Sequence, residues 1–214
     1  MSQPLRLGIA GLGTVGVGVV RIIRKQAALI EARTGRPVTI TAVSARDATK
    51  DRGVSLKDYA WETDPVALAT RDDVDVFVEL MGGHEGPAKL ATEAALAAGK
   101  DVVTANKALL AIHGQALAEQ AEANGRVIRF EAAVAGGIPV IKSLTESLAG
   151  NEITRVMGVM NGTCNYILTQ MEATGRGYNA LFEECGQLGY LEADPLLDVG
   201  GIDAGHKLAL LASI

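Results

Sequence analysis

Near the end of the chain, Glu192, Asp194, Asp198 and Asp203 stand at short intervals, and Lys207 follows four residues after the last of them. Lys207 opens an almost wholly apolar run from Leu208 to Ile214. On a helix, Asp203 and Lys207 share one face, and Leu211 and Ile214 continue it. A carboxylate and an ammonium entering a buried helix are costly unless they are paired or put to use. Two readings follow. One is a capped helix with an i,i+4 ion pair. The other is a site where the ammonium stabilises and then protonates a developing oxyanion. The spacing alone favours the ion pair; the other end of the chain shifts the balance because it supplies a cofactor.

That end carries Gly11-Leu12-Gly13-Thr14-Val15-Gly16 directly after the apolar run Leu5 to Ala10. A helical pattern from about Val15 to Arg33 and a strand over Val38–Val43 follow it, which is the context a dinucleotide fingerprint requires. Gly11 makes the tight turn, Gly13 lets backbone approach a pyrophosphate, and Gly16 lets the helix pack close to the strand. The helix start at Thr14 and Val15 offers free N–H groups and positive dipole to phosphates. At the end of the second strand an acid would bind a ribose 2′-hydroxyl and an arginine would accommodate a 2′-phosphate. Ser44-Ala45-Arg46 stands there, with Lys50 and Arg52 nearby, so the cofactor is expected to be NADP, with NAD as the alternative. Asp47 tempers that choice.

The elements that must position these groups alternate in type. A strand over Val74–Val78 leads to a helix over Pro87–Ala98. A strand over Asp101–Thr104 leads to a helix over Leu109–Ala123, and a strand over Val127–Phe130 follows. The fold class is α/β: a Rossmann-type doubly wound parallel sheet over 1–130, with ligands at the carboxyl ends of its strands. Gly82-Gly83 and Thr104-Ala105-Asn106-Lys107 fall at two such ends, where glycines admit a flat ring close to the backbone. Thr104 and Lys107 are therefore cofactor-binding candidates. A cation is not favoured at the start of a helix, so Lys107 reads as functional rather than structural.

After Phe130 the grammar changes. A helix is expected from Pro139 to about Leu148, a strand over Glu152–Met160, and a turn or cap at Asn161 before another helix. A further helix over Asn179–Leu188 precedes the acidic motif. At 214 residues the chain fits one large domain or two small ones, and its 48% hydrophobic content is ample for a core. A net charge of −5 with scattered Lys and Arg argues against nucleic acid. Cys164 and Cys185 are too few for a disulfide framework. Neither a signal peptide nor a membrane span is apparent, and the chain is expected to be soluble and cytoplasmic. Its last helical pattern stops at Ser213-Ile214 without a closing signal, which suggests a longer parent chain.

Five segments together resemble the homoserine dehydrogenase family: Gly11–Gly16, Thr104–Lys107, Glu131–Ile141, Gly158–Ile167 and Gly189–Lys207. They occur in order over essentially the whole chain, and the last three are highly specific. The resemblance implies reversible, NAD(P)H-dependent reduction of L-aspartate 4-semialdehyde to L-homoserine, on the route to threonine, isoleucine and methionine. It implies that 131–214 is part of an α+β domain carrying substrate and the dimer interface, so a homodimer or higher homo-oligomer is expected.

Residue by residue, the resemblance makes Lys207 the proton donor and Lys107 a second lysine at the reacting oxygen. Glu192 and Asp203 would hold the substrate ammonium, with Asp198 beside the same pocket and Gly189 against the cofactor. It also implies a monovalent cation, Na+ or K+, on main-chain oxygens of Glu131, Val134, Gly136 and Ile138. Two departures are local: Gly200 stands where many relatives carry an acid, and Gly205 where alanine is usual. Gly205 should weaken its helix by up to about 1 kcal/mol relative to alanine.

Two rivals remain. Cys164, after a strand and near a helix start, could be the nucleophile of a semialdehyde dehydrogenase. Alternatively the chain binds cofactor without turnover. His84 could line the cofactor cleft, and His113 and His206 lack partners at metal-ligand spacing, so no zinc site is expected.

Overall fold

Apolar residues fill most of β1 (Leu5–Ala10), as they must in a strand covered on both faces, and Ile9 and Ala10 are fully buried. In this computed structural model, which describes residues 2–191 and 194–214, the chain divides into two compact units, Met1–Val140 and Ile141–Ile214.

In the first unit β1 runs through the Gly11 turn into α1 (Thr14–Lys25), which lays Gly16, Val17 and Val20 against the interior. The single helix expected to Arg33 is broken at Gln26, whose φ of −109° and ψ of 15° start α2 (Ala27–Thr34). Gln26 keeps both of its own backbone bonds, its N–H reaching Ile22 O at 2.9 Å and its carbonyl accepting Ile30 N–H at 2.8 Å. None of the α2 residues is buried, so nothing in the core holds it to the α1 axis. Gly35, left-handed at φ 71°, ends it.

Strand β2 (Val38–Ser44) is followed by β3 (Ala60–Glu62), too short to leave a periodic signal, and by α3 (Pro65–Ala69), which Asp64 caps through Val66 N–H at 2.9 Å. Then come β4 (Val76–Glu79), α4 (Pro87–Ala97), β5 (Asp101–Thr104), α5 (Lys107–Ala123), β6 (Ile128–Arg129) and the single turn α6 (Glu131–Val134). The six strands lie in the order β3-β2-β1-β4-β5-β6, and every neighbouring pair is parallel. The expected doubly wound sheet is present. Its order reverses between β1 and β4, where a crevice opens at the carboxyl ends. Asp75, just before β4, clamps β1 by accepting two bonds from the Arg6 guanidinium, at 2.7 and 3.1 Å.

The helix expected between Pro139 and Leu148 is present but wound differently. Helix α7 (Val140–Lys142) passes into a π-helical turn, Ser143–Ser147, closed by Leu148 N–H on Ser143 O at 2.9 Å. Thr145 directs its hydroxyl to Ile141 O at 3.0 Å, and such back-bonding competes with the regular ladder.

The strand expected over 152–160 does not form, and these residues carry no regular secondary structure. All described strands belong to the first unit's sheet, so this stretch has no ladder partner among the described residues, and Ile153, Met157 and Val159 are exposed. Alternation in sequence indicates the shape of a strand, but a neighbour must complete it. Helix α8 (Gly162–Thr174) starts on the Asn161 cap and ends at Gly175. Helix α9 (Tyr178–Gln187) packs Leu181 and Cys185 on Ile167 of α8. Two more helices, α10 (Pro195–Val199) and α11 (Ile202–Ala212), complete the second unit.

Candidate functional site

In the first unit a cleft of about 910 Å³ lies at the crevice, lined by Gly11 and Gly13 on one side and by Arg46, Lys50, Gly82 and Gly83 on others. The fingerprint glycines divide their work physically. A Cβ on Gly11, at φ 97°, would lie 2.3 Å from Leu80 O, and one on Gly16 would lie 1.9 Å from Gly11 O. Both positions exclude any side chain. Around Gly13 nothing lies within 4 Å of the missing Cβ, which leaves the backbone open to an approaching group. Thr14 begins α1, and Val15 is exposed.

The arm after β2 is held by its own groups. Asp47 accepts the Thr49 N–H and hydroxyl at 2.8 and 2.7 Å and the Lys50 N–H at 3.2 Å. These bonds, the Thr49 hydroxyl first, hold its carboxyl below the usual range. Arg52 donates to Leu12 O at 3.1 Å, Lys50 O at 2.9 Å and Asp47 O at 2.7 Å, and lies over the Trp61 ring. It therefore fastens the arm to the glycine turn. Arg46 and Lys50 make no side-chain hydrogen bond or ion pair among the described residues, and both line the cleft.

Across the crevice, Glu79 is fully buried at the end of β4. It accepts Met81 N–H at 2.7 Å, Gly82 N–H at 3.2 Å and the Thr104 hydroxyl at 2.6 Å. Thr104 accepts Asn106 N–H at 2.9 Å, and the Asn106 amide donates to Gly83 O at 2.6 Å. Asn106 also caps α5 through Leu109 N–H at 3.1 Å, directly before Lys107. Glu79 was not a sequence candidate. The available signal was a carboxylate closing an otherwise apolar strand at its carboxyl end.

In the second unit, Asp198 and Asp203 are each 3% exposed. Asn161 joins them, donating to Asp198 Oδ1 at 2.9 Å and Asp203 Oδ2 at 3.0 Å. Its own oxygen accepts Cys164 N–H at 2.8 Å and caps α8. Lys207 Nζ donates to Asp203 Oδ2 and to Met160 O, both at 2.8 Å. The structure thus brings Asp198, Asp203 and Lys207 together and adds Asn161, which the sequence reading had only as a turn or cap. An ammonium has three N–H groups, so among the described residues one remains for a further acceptor. Leu211 is buried on the same helix, whereas Ile214 lies beyond its end and is exposed.

The other candidates are placed as follows. Lys107 opens α5 in the first unit. Glu131 and Val134 bound α6, with Gly136 and the exposed Ile138 just after it. Gly189 occupies a left-handed turn after α9, at φ 72°. Glu192 lies outside the described residues. Burial first, then Asp198 and Asp203, push the Cys164 thiol above its usual value, the opposite of what a thiolate nucleophile needs. His84 sits in the exposed turn after Gly83, and His113 bonds Glu85 at 2.8 Å. Among the described residues no group of His, Cys, Asp and Glu could hold a metal ion. None of the described helices is long and apolar enough to cross a membrane.

Residues 11–131 match the family model for the homoserine dehydrogenase NAD binding domain. The chain belongs to the homoserine dehydrogenase family. Residues 139–214 match the family's second model, homoserine dehydrogenase. The homoserine dehydrogenase of Mycobacterium tuberculosis (strain ATCC 25618 / H37Rv) is 48% identical over 213 residues, which cover 100% of this chain and 48% of that protein. The crystal structure of a homoserine dehydrogenase from Thiobacillus denitrificans superposes with a TM-score of 0.93 at 41% identity, covering 99% of this chain and 49% of that one. A hyperthermophilic archaeal homoserine dehydrogenase in complex with NADPH gives 0.84 at 27% identity, with 98% and 69% covered. The chain spans about half the length of the curated relatives it matches.

Proposed function

We propose that this chain carries the cofactor-binding region and part of the catalytic region of a homoserine dehydrogenase, interconverting L-aspartate 4-semialdehyde and L-homoserine. The observation that carries this reading is the buried Asp198–Asn161–Asp203–Lys207 cluster in a family member whose other unit holds an open glycine cleft. That cleft suits a dinucleotide, because Gly13 leaves room where a pyrophosphate would approach and α1 begins beside it. NAD(P)H, when bound, supplies hydride to the aldehyde carbon. Lys207 then stabilises the charge growing on oxygen and delivers a proton to it, with Asp203 fixing its ammonium. Lys107 is the second lysine for that oxygen. Glu192 and Asp203 receive the substrate ammonium, Asp198 lies beside them, and Gly189 borders the cofactor.

Thr14, Val15 and Gly16 belong to the pyrophosphate turn, Thr104 to the nicotinamide side, and Arg46 to the 2′-phosphate, which makes NADP the preferred cofactor. Carbonyls of Glu131, Val134, Gly136 and Ile138 would hold Na+ or K+. The carbonyl oxygens of Glu131 and Ile138 each accept one N–H, at 3.0 and 2.9 Å. The functional boundary between cofactor and substrate regions is proposed at 130/131, ahead of the division into compact units at 140/141, and the working enzyme is a cytoplasmic homodimer or larger assembly.

The test is homoserine oxidation followed by absorbance at about 340 nm, with NADP and with NAD, on this chain and on a version extended to the length of its relatives. Turnover in the extended version supports the reading, and its absence there with both cofactors overturns it. Because the chain spans half its relatives, cofactor binding without turnover by the shorter form is the second reading, and the same assay separates the two.

A further inference from the structure

Glu79 is a charge that the proposed chemistry does not use. Its side chain is wholly shielded from solvent, and all three of its hydrogen-bond partners are donors: two backbone N–H groups and a hydroxyl. Two backbone N–H groups and a hydroxyl thus engage both oxygens of the carboxylate. Burying such a charge is costly unless those bonds hold it, so their geometry is fixed strongly.

What they fix is specific. The N–H groups belong to the turn after β4, and the hydroxyl belongs to Thr104 at the end of β5. Asn106 closes the circuit: its N–H meets Thr104, and its amide meets Gly83 O in the first turn. In a doubly wound sheet the ribose next to adenine lies at the end of the second strand. Across the order reversal, Gly82 and Gly83 after β4 line the opposite half of the cleft, and the end of β5 is tied to them through Glu79 and Asn106.

We propose that Glu79 is a positioning residue for the nicotinamide half of the cofactor site: its carboxylate locks the Gly82–Gly83 turn to the Thr104–Asn106 loop and sets where α5 begins. This rests on the cofactor reading given above. Loss of the charge loosens two loops on the nicotinamide side and leaves the arm fastened by Arg52 untouched.

The test compares NADPH with 2′-phospho-ADP-ribose, which lacks only the nicotinamide, by calorimetric titration of the full chain. Glu79→Gln should weaken NADPH binding about tenfold or more and leave 2′-phospho-ADP-ribose within about twofold. Thr104→Val should show the same pattern, and Thr104→Ser, which restores the hydroxyl, should return NADPH affinity to within about twofold of wild type. The Thr104 pair decides the matter if Glu79→Gln does not fold. Equal loss of both ligands, unchanged NADPH affinity, or failure of Thr104→Ser to rescue overturns the role of Glu79. A wild-type chain that binds neither ligand overturns the cofactor reading itself.

Discussion

Lys207 Nζ stands 2.8 Å from Asp203 Oδ2 on the first turns of α11. Asp203 is almost fully buried, whereas the lysine side chain keeps 22% exposure. The pair therefore has a fixed inner member and an outer member with an accessible side. A carboxylate in the first turn also meets the positive end of the helix dipole, which supports its charge. This arrangement positions an ammonium and leaves it able to work.

Lys207→Ala should lower kcat for homoserine oxidation by about 10²- to 10⁴-fold, the range for loss of a positioned proton donor. NADP affinity should stay within about twofold, because cofactor is expected to contact the fingerprint turn. Steady-state kinetics and calorimetric titration on the extended enzyme check this. Near-full turnover would remove Lys207 from the chemistry.

Asn161 separates two buried carboxylates and caps α8 with the same side chain. Asn161→Leu should cost about 1–3 kcal/mol, through lost capping and two acceptors left facing an apolar group. Urea unfolding of the chain measures it. An unchanged midpoint would mean that the amide bridge contributes little.

Gly13 and Gly16 should separate binding from folding. Gly13→Ala meets open space at an ordinary φ of −79°, so stability should hold or rise by up to about 1 kcal/mol. Its methyl should still weaken NADP by about tenfold or more by crowding the pyrophosphate. Gly16→Ala drives a methyl into Gly11 O and should lower stability by about 1–3 kcal/mol as well as affinity. Melting curves with and without NADP distinguish the two outcomes.

Arg46→Ala should raise the KM for NADP by about tenfold and leave that for NAD within about twofold, since only NADP offers a 2′-phosphate. Cofactor-ratio kinetics decide it. Equal effects on both cofactors would assign the 2′-phosphate to other groups.

Acid should loosen the β1–β4 junction. Bonds from Arg6 hold the Asp75 carboxyl below its ordinary value of 3.8. A carboxyl depressed in the folded state contributes stability that is present above 3.8 and is lost as pH falls through the lower folded value. Asp75→Asn should therefore be less stable than wild type near neutrality, with the difference shrinking below about pH 4. Urea midpoints from pH 7 down to about 3 report it, and a constant difference would contradict the linkage.

Much of the first unit was legible because parallel strands write continuous apolar runs and glycines mark the turns between layers. Leu5–Ala10 and Asp101–Thr104 lie where their patterns put them. The break at Gln26 left no mark, because neither Gly nor Pro is needed when both backbone bonds survive the bend. The stretch 152–160 has the alternation of a strand without forming one, because pairing is not a local property. The α11 cluster was legible as a spacing of Asp203 and Lys207, yet Asn161 as their bridge was not, because it comes from a distant turn. Glu79 is hard to see in sequence because the apolar run stops at Val78, one residue before the strand does.

Arg52 donates its hydrogen bonds to main-chain oxygens of Leu12, Asp47 and Lys50, and its ring contact, with Trp61, lies outside positions 46 and 50. The identities of residues 46 and 50 can therefore vary without unfastening the segment that carries them. An engineer wishing to retune discrimination between the two nicotinamide dinucleotides has interchangeable fittings on a bolted bracket, and a library restricted to those two positions should retain folding in most members.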